Sequence, residues 1–317
     1  MKKAFKALML PAAAAGAVLA GAYGAYRYTF YSPVGNQNDD HTFLLPSASE
    51  ELRRRSLEMI DALNARPYEV VSICSFDGLR LSGRLYRSVD DAPLAILFHG
   101  YRGTPSRDFS GGATVFLDMG WNVLSIEQRA HCSSEGHTIS FGIKERHDCL
   151  SWCRYAVERL GQNTPILLAG ISMGAATVLM ASELALPESV RGIIADCPYS
   201  SPSAIIRCVA RTRGYPPAAF VFEELGARIF GGFSLDSSGA VSAVRRARVP
   251  ILLIHGEADR LVPCDMSREI AAANPEMIEF HTFPGAGHGI SYLIDTERYI
   301  RLVSDFADRV IGARSDC

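Results

Sequence analysis

With 317 residues, 48% of them hydrophobic, the chain can bury a full core in one domain and still carry an N-terminal extension. Its 32 Lys and Arg against 34 Asp and Glu leave a formal charge of −2, which excludes the basic surface that nucleic-acid binding needs. No Gly-rich phosphate loop, paired metal-ligand motif or dinucleotide fingerprint occurs, so neither a cofactor nor a metal is expected.

In chain order, Lys2, Lys3 and Lys6 precede an uncharged stretch from Ala7 to Tyr26, closed by Arg27. Some twenty helical residues at about 1.5 Å each span a bilayer core of roughly 30 Å, so residues 1–31 read as a membrane anchor. Tyr23, Tyr26, Tyr28, Phe30 and Tyr31 would form an aromatic belt at the far interface, and the basic flank would leave the rest of the chain outside the cytoplasm. A cleaved signal segment is the alternative, because Ala20-Gly21-Ala22 fits a small-residue cleavage site. Residues 32–66 then read as a polar linker over 36–49 and an amphipathic helix over 50–65. Leu52, Leu57, Ile60 and Leu63 lie near one face of that helix and would pack on the edge of the following domain.

Residues 67–317 form the main domain in this reading. Strand-like runs fall at 69–74, 79–86, 94–98, 122–126, 166–169, 192–196, 250–255 and 278–283. Asp77-Gly78 joins the first two as a hairpin signal. Most of the others are short continuous apolar runs, the pattern of a parallel sheet covered on both faces. Helix-length segments at 108–118, 144–160, 175–186, 266–273 and 296–311 lie between them, and the alternation predicts a doubly wound α/β sheet. About fifty residues separate Asp196 from Pro250, more than one crossover needs. Helical pieces at 203–213, 217–230 and 237–246 make this region, approximately 200–248, a short lid. Its Tyr215, Phe220, Phe222, Phe230 and Phe233 would either line an apolar pocket or pin the helices to the domain. The eight cysteines, Cys74, Cys132, Cys149, Cys153, Cys197, Cys208, Cys264 and Cys317, show no disulfide framework and read as reduced thiols.

The chemistry concentrates at strand ends. Gly170-Ile171-Ser172-Met173-Gly174 stands between the apolar run 165–169 and a helix-prone segment, placing a serine on a tight strand-to-helix turn. A serine hydroxyl needs a base and an orienting carboxylate to become a nucleophile. Asp259 and His288 follow it in that order, each on a loop just past a strand where open α/β sheets gather their ligand chemistry. Glu257 is the competing acid, but Asp259 lies further out on the loop. His255 ends a strand and reads as packed or hydrogen-bonded, His281 alternates within a strand, and His131, His137 and His147 precede the serine. His99-Gly100-Tyr101 follows the strand 94–98, so the N–H groups of Tyr101 and Met173 are the candidate oxyanion donors, with His99 orienting the loop.

These residues give the chain a family resemblance. It resembles serine hydrolases of the α/β-hydrolase superfamily, and in particular bacterial membrane-anchored, esterase-like members. The likeness rests on His99-Gly100-Tyr101, Gln128-Arg129-Ala130-His131-Cys132-Ser133-Ser134-Glu135-Gly136, Gly170 to Gly174, and the strings around Asp259 and His288. Related sequences usually read D-x-R-G-H-G-x-S-x-G in the second stretch; Glu127, Ala130 and Cys132 stand here where Asp, Gly and Gly are common. The resemblance implies a mostly parallel eight-stranded sheet flanked by helices under a short lid. It also implies cleavage of a small-molecule carboxylic ester through an acyl-enzyme on Ser172, with Asp259 and His288 completing the triad. Peptidase, thioesterase and acyltransferase chemistry use the same machinery, and a membrane-tethered binding protein is the non-enzymatic alternative.

Overall fold

The structure, a computed structural model, describes residues 2–33 and 49–312, with side chains described from residue 15 onward. The linker expected over 36–49 lies outside the described residues except for Ser49, as do Cys317 and the side chains of Lys2, Lys3 and Lys6. Two helices come first, α1 (Lys2–Thr29) and α2 (Glu50–Asn64). Eight strands follow: β1 (Glu69–Cys74), β2 (Arg80–Tyr86), β3 (Leu94–Phe98), β4 (Asn122–Glu127), β5 (Ile166–Ile171), β6 (Val190–Asp196), β7 (Ile251–Gly256) and β8 (Ile278–Phe283). They make one sheet in the order β1-β2-β4-β3-β5-β6-β7-β8. Only β2 runs against its neighbours; β3 to β8 pair in parallel. The fold is thus the expected α/β-hydrolase architecture.

β3, β4, β5 and β7 are buried at every position, which is why they read as unbroken apolar runs rather than alternating ones. The helices α3 (Pro105–Asp118), α4 (Glu145–Leu160) and α5 (Met173–Ala181) close the connections in the first half of the sheet. In the second half α9 (Cys264–Ala273), α10 (Ser291–Ile294) and α11 (Thr296–Gly312) do so, after the lid helices α6 (Pro202–Thr212), α7 (Ala219–Gly226) and α8 (Ala240–Val244). One face of the sheet packs Trp152, Leu168, Val178 and Leu253, and the other packs Phe116, Leu97, Ile254 and Phe306. α2 seats Leu63 in the second of these layers, against the domain edge as its pattern predicts.

The N-terminal helix departs from expectation. It has 28 residues, yet among the described residues no helix is long and apolar enough to cross a membrane. Ala and Gly fill most of the stretch, and their small side chains gain little from hydrocarbon. Of the aromatic residues read as an interfacial belt, Tyr26 and Phe30 are buried against the domain, while Tyr23 and Tyr28 stay about half exposed. Ala22, Tyr26 and Phe30 are buried, with Phe30 edge-on to Phe233 at 5.3 Å and Tyr23 edge-on to Phe230 at 5.1 Å between ring centres. Gly21 lies on the Phe222 ring, where a Cβ would sit 2.8 Å from the nearest carbons. Main-chain bonds from Ile139 N to Phe30 O (2.8 Å) and from Ser32 N to His137 O (2.9 Å) fasten the end of the helix to the domain.

This packing also decides between the two readings of the lid aromatics. Phe220 and Phe233 are buried in the lid layer, while Phe222 and Phe230 meet α1. They pin elements together; of the five residues only Tyr215 lines the cavity over Ser172. The seven described cysteines are free thiols.

Candidate active site

β5 ends at Ile171 and α5 begins at Met173, so Ser172 alone makes the turn, at φ 54° and ψ −114°. A positive φ is strained for a residue with a Cβ. The glycines on either side explain why it persists. A Cβ on Gly170 would strike the carbonyl of Gly174, and one on Gly174 would strike the carbonyl of Phe98 in β3. Only hydrogens fit where the turn presses on the neighbouring strand. Ser172 N donates to Asp196 O at 2.8 Å and holds the turn to the end of β6.

Ser172 Oγ lies 2.9 Å from Nε2 of His288, and Nδ1 of His288 lies 2.7 Å from Oδ2 of Asp259. Oδ1 of Asp259 accepts the N–H groups of Leu261 and Val262, both at 2.9 Å. His255, fully buried, adds its Nε2 at 3.3 Å from the same carboxylate, while its Nδ1 meets Ser267 Oγ at 2.7 Å. Burial pushes the Asp259 carboxyl up, but hydrogen bonds from His255, His288 and the loop N–H groups outweigh it and hold it well below the usual carboxylate range. The group is ionised at neutral pH and faces the ring of His288. Glu257 instead takes the Thr282 hydroxyl at 2.6 Å and stays outside this relay. Cys197, buried at φ 48°, brings its sulfur within 4.8 Å of ligating atoms of Asp259 and His288; burial pushes that thiol far up and keeps it protonated.

The loop after β3 lies beside the serine: a Cβ on Gly100 would be 3.4 Å from that of Ser172. Asp108, at the start of α3 and paired with Arg107 at 2.8 Å, accepts the Gly100 N–H at 2.7 Å. Arg102 N donates to Nε2 of His131 at 3.0 Å. The N–H of Tyr101, between these two, has no partner among the described residues, and that of Met173 opens α5 with no intrahelical acceptor. The Tyr101 side chain points away, its hydroxyl donating to Thr29 O of α1 at 2.8 Å.

The histidines upstream of the serine have structural places. His99 accepts Gln128 N–H at 3.1 Å on Nε2, so its Nδ1 carries the proton and donates to Gly100 O at 2.8 Å. His131 repeats the arrangement, with Nδ1 donating to Arg129 O at 2.8 Å. Burial depresses both rings, His99 to about 4 and His131 well below the ordinary value, so each is a neutral strut between the loops after β3 and β4. His137 stacks on Tyr31 at 5.5 Å, His147 lies against Phe76, and His281 pairs with Glu279 at 2.7 Å.

The departures in the stretch 127–136 leave its shape intact. Ala130 and Cys132 adopt φ 60° and 48°, the left-handed region for which the glycines of related sequences are suited. Each therefore carries strain of roughly 1–2 kcal/mol. Glu127 reaches back to accept the Ser133 N–H at 2.8 Å, closing the turn that an aspartate could also close.

Above Ser172 and His288 opens a cavity of about 810 Å³. Ile205, Ile206 and Val209 of α6 give it an apolar wall, and Tyr28, Thr29 and Tyr31 at the end of α1 give it a second. That second wall was invisible to a reading that placed α1 in a bilayer.

Comparison with known proteins identifies the family and the fold. A family pattern described as "Alpha/beta hydrolase family" matches residues 95–302. The uncharacterised protein YqkD of Bacillus subtilis is 26% identical over 202 residues, covering 62% of this chain and 65% of that one. The esterase LipC of Mycobacterium tuberculosis is 24% identical over 206 residues, 59% of this chain and 50% of its own. The chain thus spans less than two thirds of the length of either relative. Among solved structures, the Pyrococcus furiosus esterase Pf2001 superposes with a TM-score of 0.65 at 22% identity, over 78% of this chain and 93% of that one, a likeness of fold. With its sheet order, its strand–serine–helix turn and a matched pattern running from β3 into α11, the chain belongs to the alpha/beta hydrolase family.

Proposed function

We propose that the protein hydrolyses carboxylic esters through an acyl-enzyme formed on Ser172. The observation that carries this reading is the unbroken relay from Ser172 Oγ through both nitrogens of His288 to a buried, ionised Asp259. Ser172 Oγ attacks the ester carbonyl and its proton passes to Nε2, while Asp259 keeps Nδ1 protonated and stabilises the imidazolium that forms. The N–H groups of Tyr101 and Met173 receive the oxyanion, the second from the positive end of α5. Collapse expels the alcohol, which takes the proton from Nε2. Water activated through the same nitrogen then releases the acid.

Two further facts favour an ester over an amide. An alcohol leaves more readily than an amine, so the relay suffices without a dedicated amide-activating device. An esterase stands among the curated relatives and another among the similar folds, and a thiohydrolase of Aspergillus aculeatus at 28% identity over 42% of this chain makes thioesters the necessary comparison. The test is labelling of the full chain with a fluorophosphonate probe, beside Ser172→Ala, followed by p-nitrophenyl esters of increasing length with matched thioesters and anilides. Labelling should vanish in Ser172→Ala, and esters should be turned over faster than anilides of the same acyl chain. A folded wild type that neither labels nor releases nitrophenol would overturn the proposal.

A further inference from the structure

The cavity over Ser172 is not electrically neutral. Four arginines line it, Arg27, Arg102, Arg107 and Arg213, against two acidic residues, Asp108 and Glu223. Arg107 and Asp108 cancel one another at 2.8 Å. Glu223 accepts the Thr29 hydroxyl at 3.1 Å, and its other oxygen is buried without a partner. Burial pushes that carboxyl up to about 7, so at and below neutral pH much of it carries no charge.

The remaining arginines differ in what they do. Arg102 donates to the carbonyls of Tyr28 and Tyr31 at 2.9 and 3.3 Å and so caps the end of α1. That is a structural task. Arg27 and Arg213 have none of this kind. The guanidinium of Arg27 sits 3.6 Å above the centre of the Tyr31 ring, and Arg213 bonds the uncharged hydroxyl of Tyr28. Neither has a carboxylate partner among the described residues. Tyr28 and Tyr31 hold both forks in place at the cavity, so little side-chain freedom is left to lose when an anion arrives. Both arginines are solvent-exposed at the cavity, so their field reaches an entering anion but is screened by salt.

We propose that the cavity selects esters that carry an anionic group, a carboxylate or a phosphate, received by Arg27 and Arg213 while an apolar chain lies along Ile205, Ile206 and Val209. The inference rests on the ester-hydrolase reading and narrows its substrate class to amphiphilic anions. It also accounts for why the end of α1 is built into the domain: α1 supplies one of the two cation sites.

Two matched pairs of chromogenic esters test it on the full chain. In the first, 4-nitro-3-(butanoyloxy)benzoate is set against its benzamide twin, which puts the charge on the alcohol side. In the second, the mono-p-nitrophenyl ester of adipic acid is set against p-nitrophenyl hexanoate, which puts it on the acyl side. The wild type should favour the anionic member of at least one pair in kcat/KM by about fivefold for each guanidinium engaged, and the preference should fall as salt is raised. The readout is this ratio within each protein, so a general loss of activity in a variant cancels. In Arg27→Gln/Arg213→Gln the ratio should approach one. Turnover of both members without preference, or a preference for the neutral one, would overturn the inference and leave the hydrolase reading standing. A preference that survives in the double variant would remove the assignment to these arginines. Failure to turn over any of the four esters would remove the hydrolase reading and this inference with it.

Discussion

Asp259→Asn separates the chemistry of the relay from its architecture. In the wild type Oδ1 holds the loop through the N–H groups of Leu261 and Val262, while Oδ2 faces Nδ1 of His288 at 2.7 Å. An asparagine keeps an oxygen for the two loop donors and puts an NH₂ where Oδ2 was. An NH₂ cannot accept the Nδ1–H. The ring is then driven to the other tautomer, with its proton on Nε2 and no lone pair for Ser172. Turnover should fall about ten-thousandfold, roughly 5 kcal/mol of barrier, with KM little changed because the apolar wall of the cavity is untouched. Stability should fall by only about 1–3 kcal/mol, since charge-assisted hydrogen bonds become neutral ones. The sign of the pH effect follows from the depressed carboxyl. Its stabilisation is complete above about pH 4, the ordinary carboxylate value, and is lost as the pH falls. The gap in Tm between wild type and variant should therefore narrow on acidification. Steady-state kinetics, probe-labelling rates and thermal melts from pH 3 to 8 measure all three quantities, with Glu257→Gln as a control that should retain activity within about twofold. Retention of more than about a tenth of kcat in a folded Asp259→Asn would refute the reasoning and move attention to Asp196, a buried carboxylate at the end of β6 close enough to interact with His288.

Three more predictions concern the frame of the site. Gly174→Ala would drive a methyl into the Phe98 carbonyl of β3; the cost should reach about 3 kcal/mol, read as a Tm drop of about 6–12 °C, whereas Gly24→Ala, with open space at its Cβ, should not lower Tm. Arg129, buried after β4, bonds Asp148 of α4 at 2.6 and 2.7 Å and Asp77 of the β1–β2 turn at 2.9 and 3.0 Å. Burial drives the Asp148 carboxyl up to about 6 in spite of Arg129, so Arg129→Met should cost about 3–5 kcal/mol by stranding a buried charge, and Asp148→Asn in the same chain should restore part of it. Strict additivity of the two in denaturant melts would sink that account. Glu223, raised to about 7 in the folded protein, binds more protons folded than unfolded between about pH 4.3 and 7. Stability should fall across that window and level off above it. Glu223→Gln should flatten the fall, matching the wild type near pH 4 and exceeding it at pH 8, and identical Tm–pH curves would count against a raised carboxyl.

The sheet and the relay were legible because each is local in the chain. A strand covered on both faces must be apolar throughout, and 94–98 and 166–169 are. Ser172 and Asp259 follow such runs and His288 follows the mixed strand β8, so placing the strands places the residues. Helix ends were less legible: α5 stops at Ala181 rather than near 186, where Ser182 turns its hydroxyl onto Leu179 O at 2.6 Å and competes with the helical bond. What joins distant segments could not be read at all. Nothing in the neighbourhood of Asp108 says that it will hold Gly100, nor does anything near His131 say that it will accept the N–H of Arg102, because those pairings exist only once adjacent strands bring their loops together.

The anchor reading of α1 passed over a second signal in its spacing. Tyr and Phe beside a run of small apolar residues satisfy two different surroundings: a bilayer interface, which wants amphipathic rings, and a domain surface, which wants large ones. The two differ in phase. Lipid surrounds a spanning helix on every side, so a belt needs no preferred face. A helix seated on a domain presents one stripe, and residues one turn apart share it. Ala22, Tyr26 and Phe30 keep a four-residue step and are the buried ones, while Tyr23 and Tyr28 fall off the stripe and stay exposed. The stripe carries α1 onto α7, and the end of the helix with the residues just after it delivers Tyr28, Thr29 and Tyr31 to the cavity. The aromatic run read as an interfacial belt supplies one wall of the candidate substrate site.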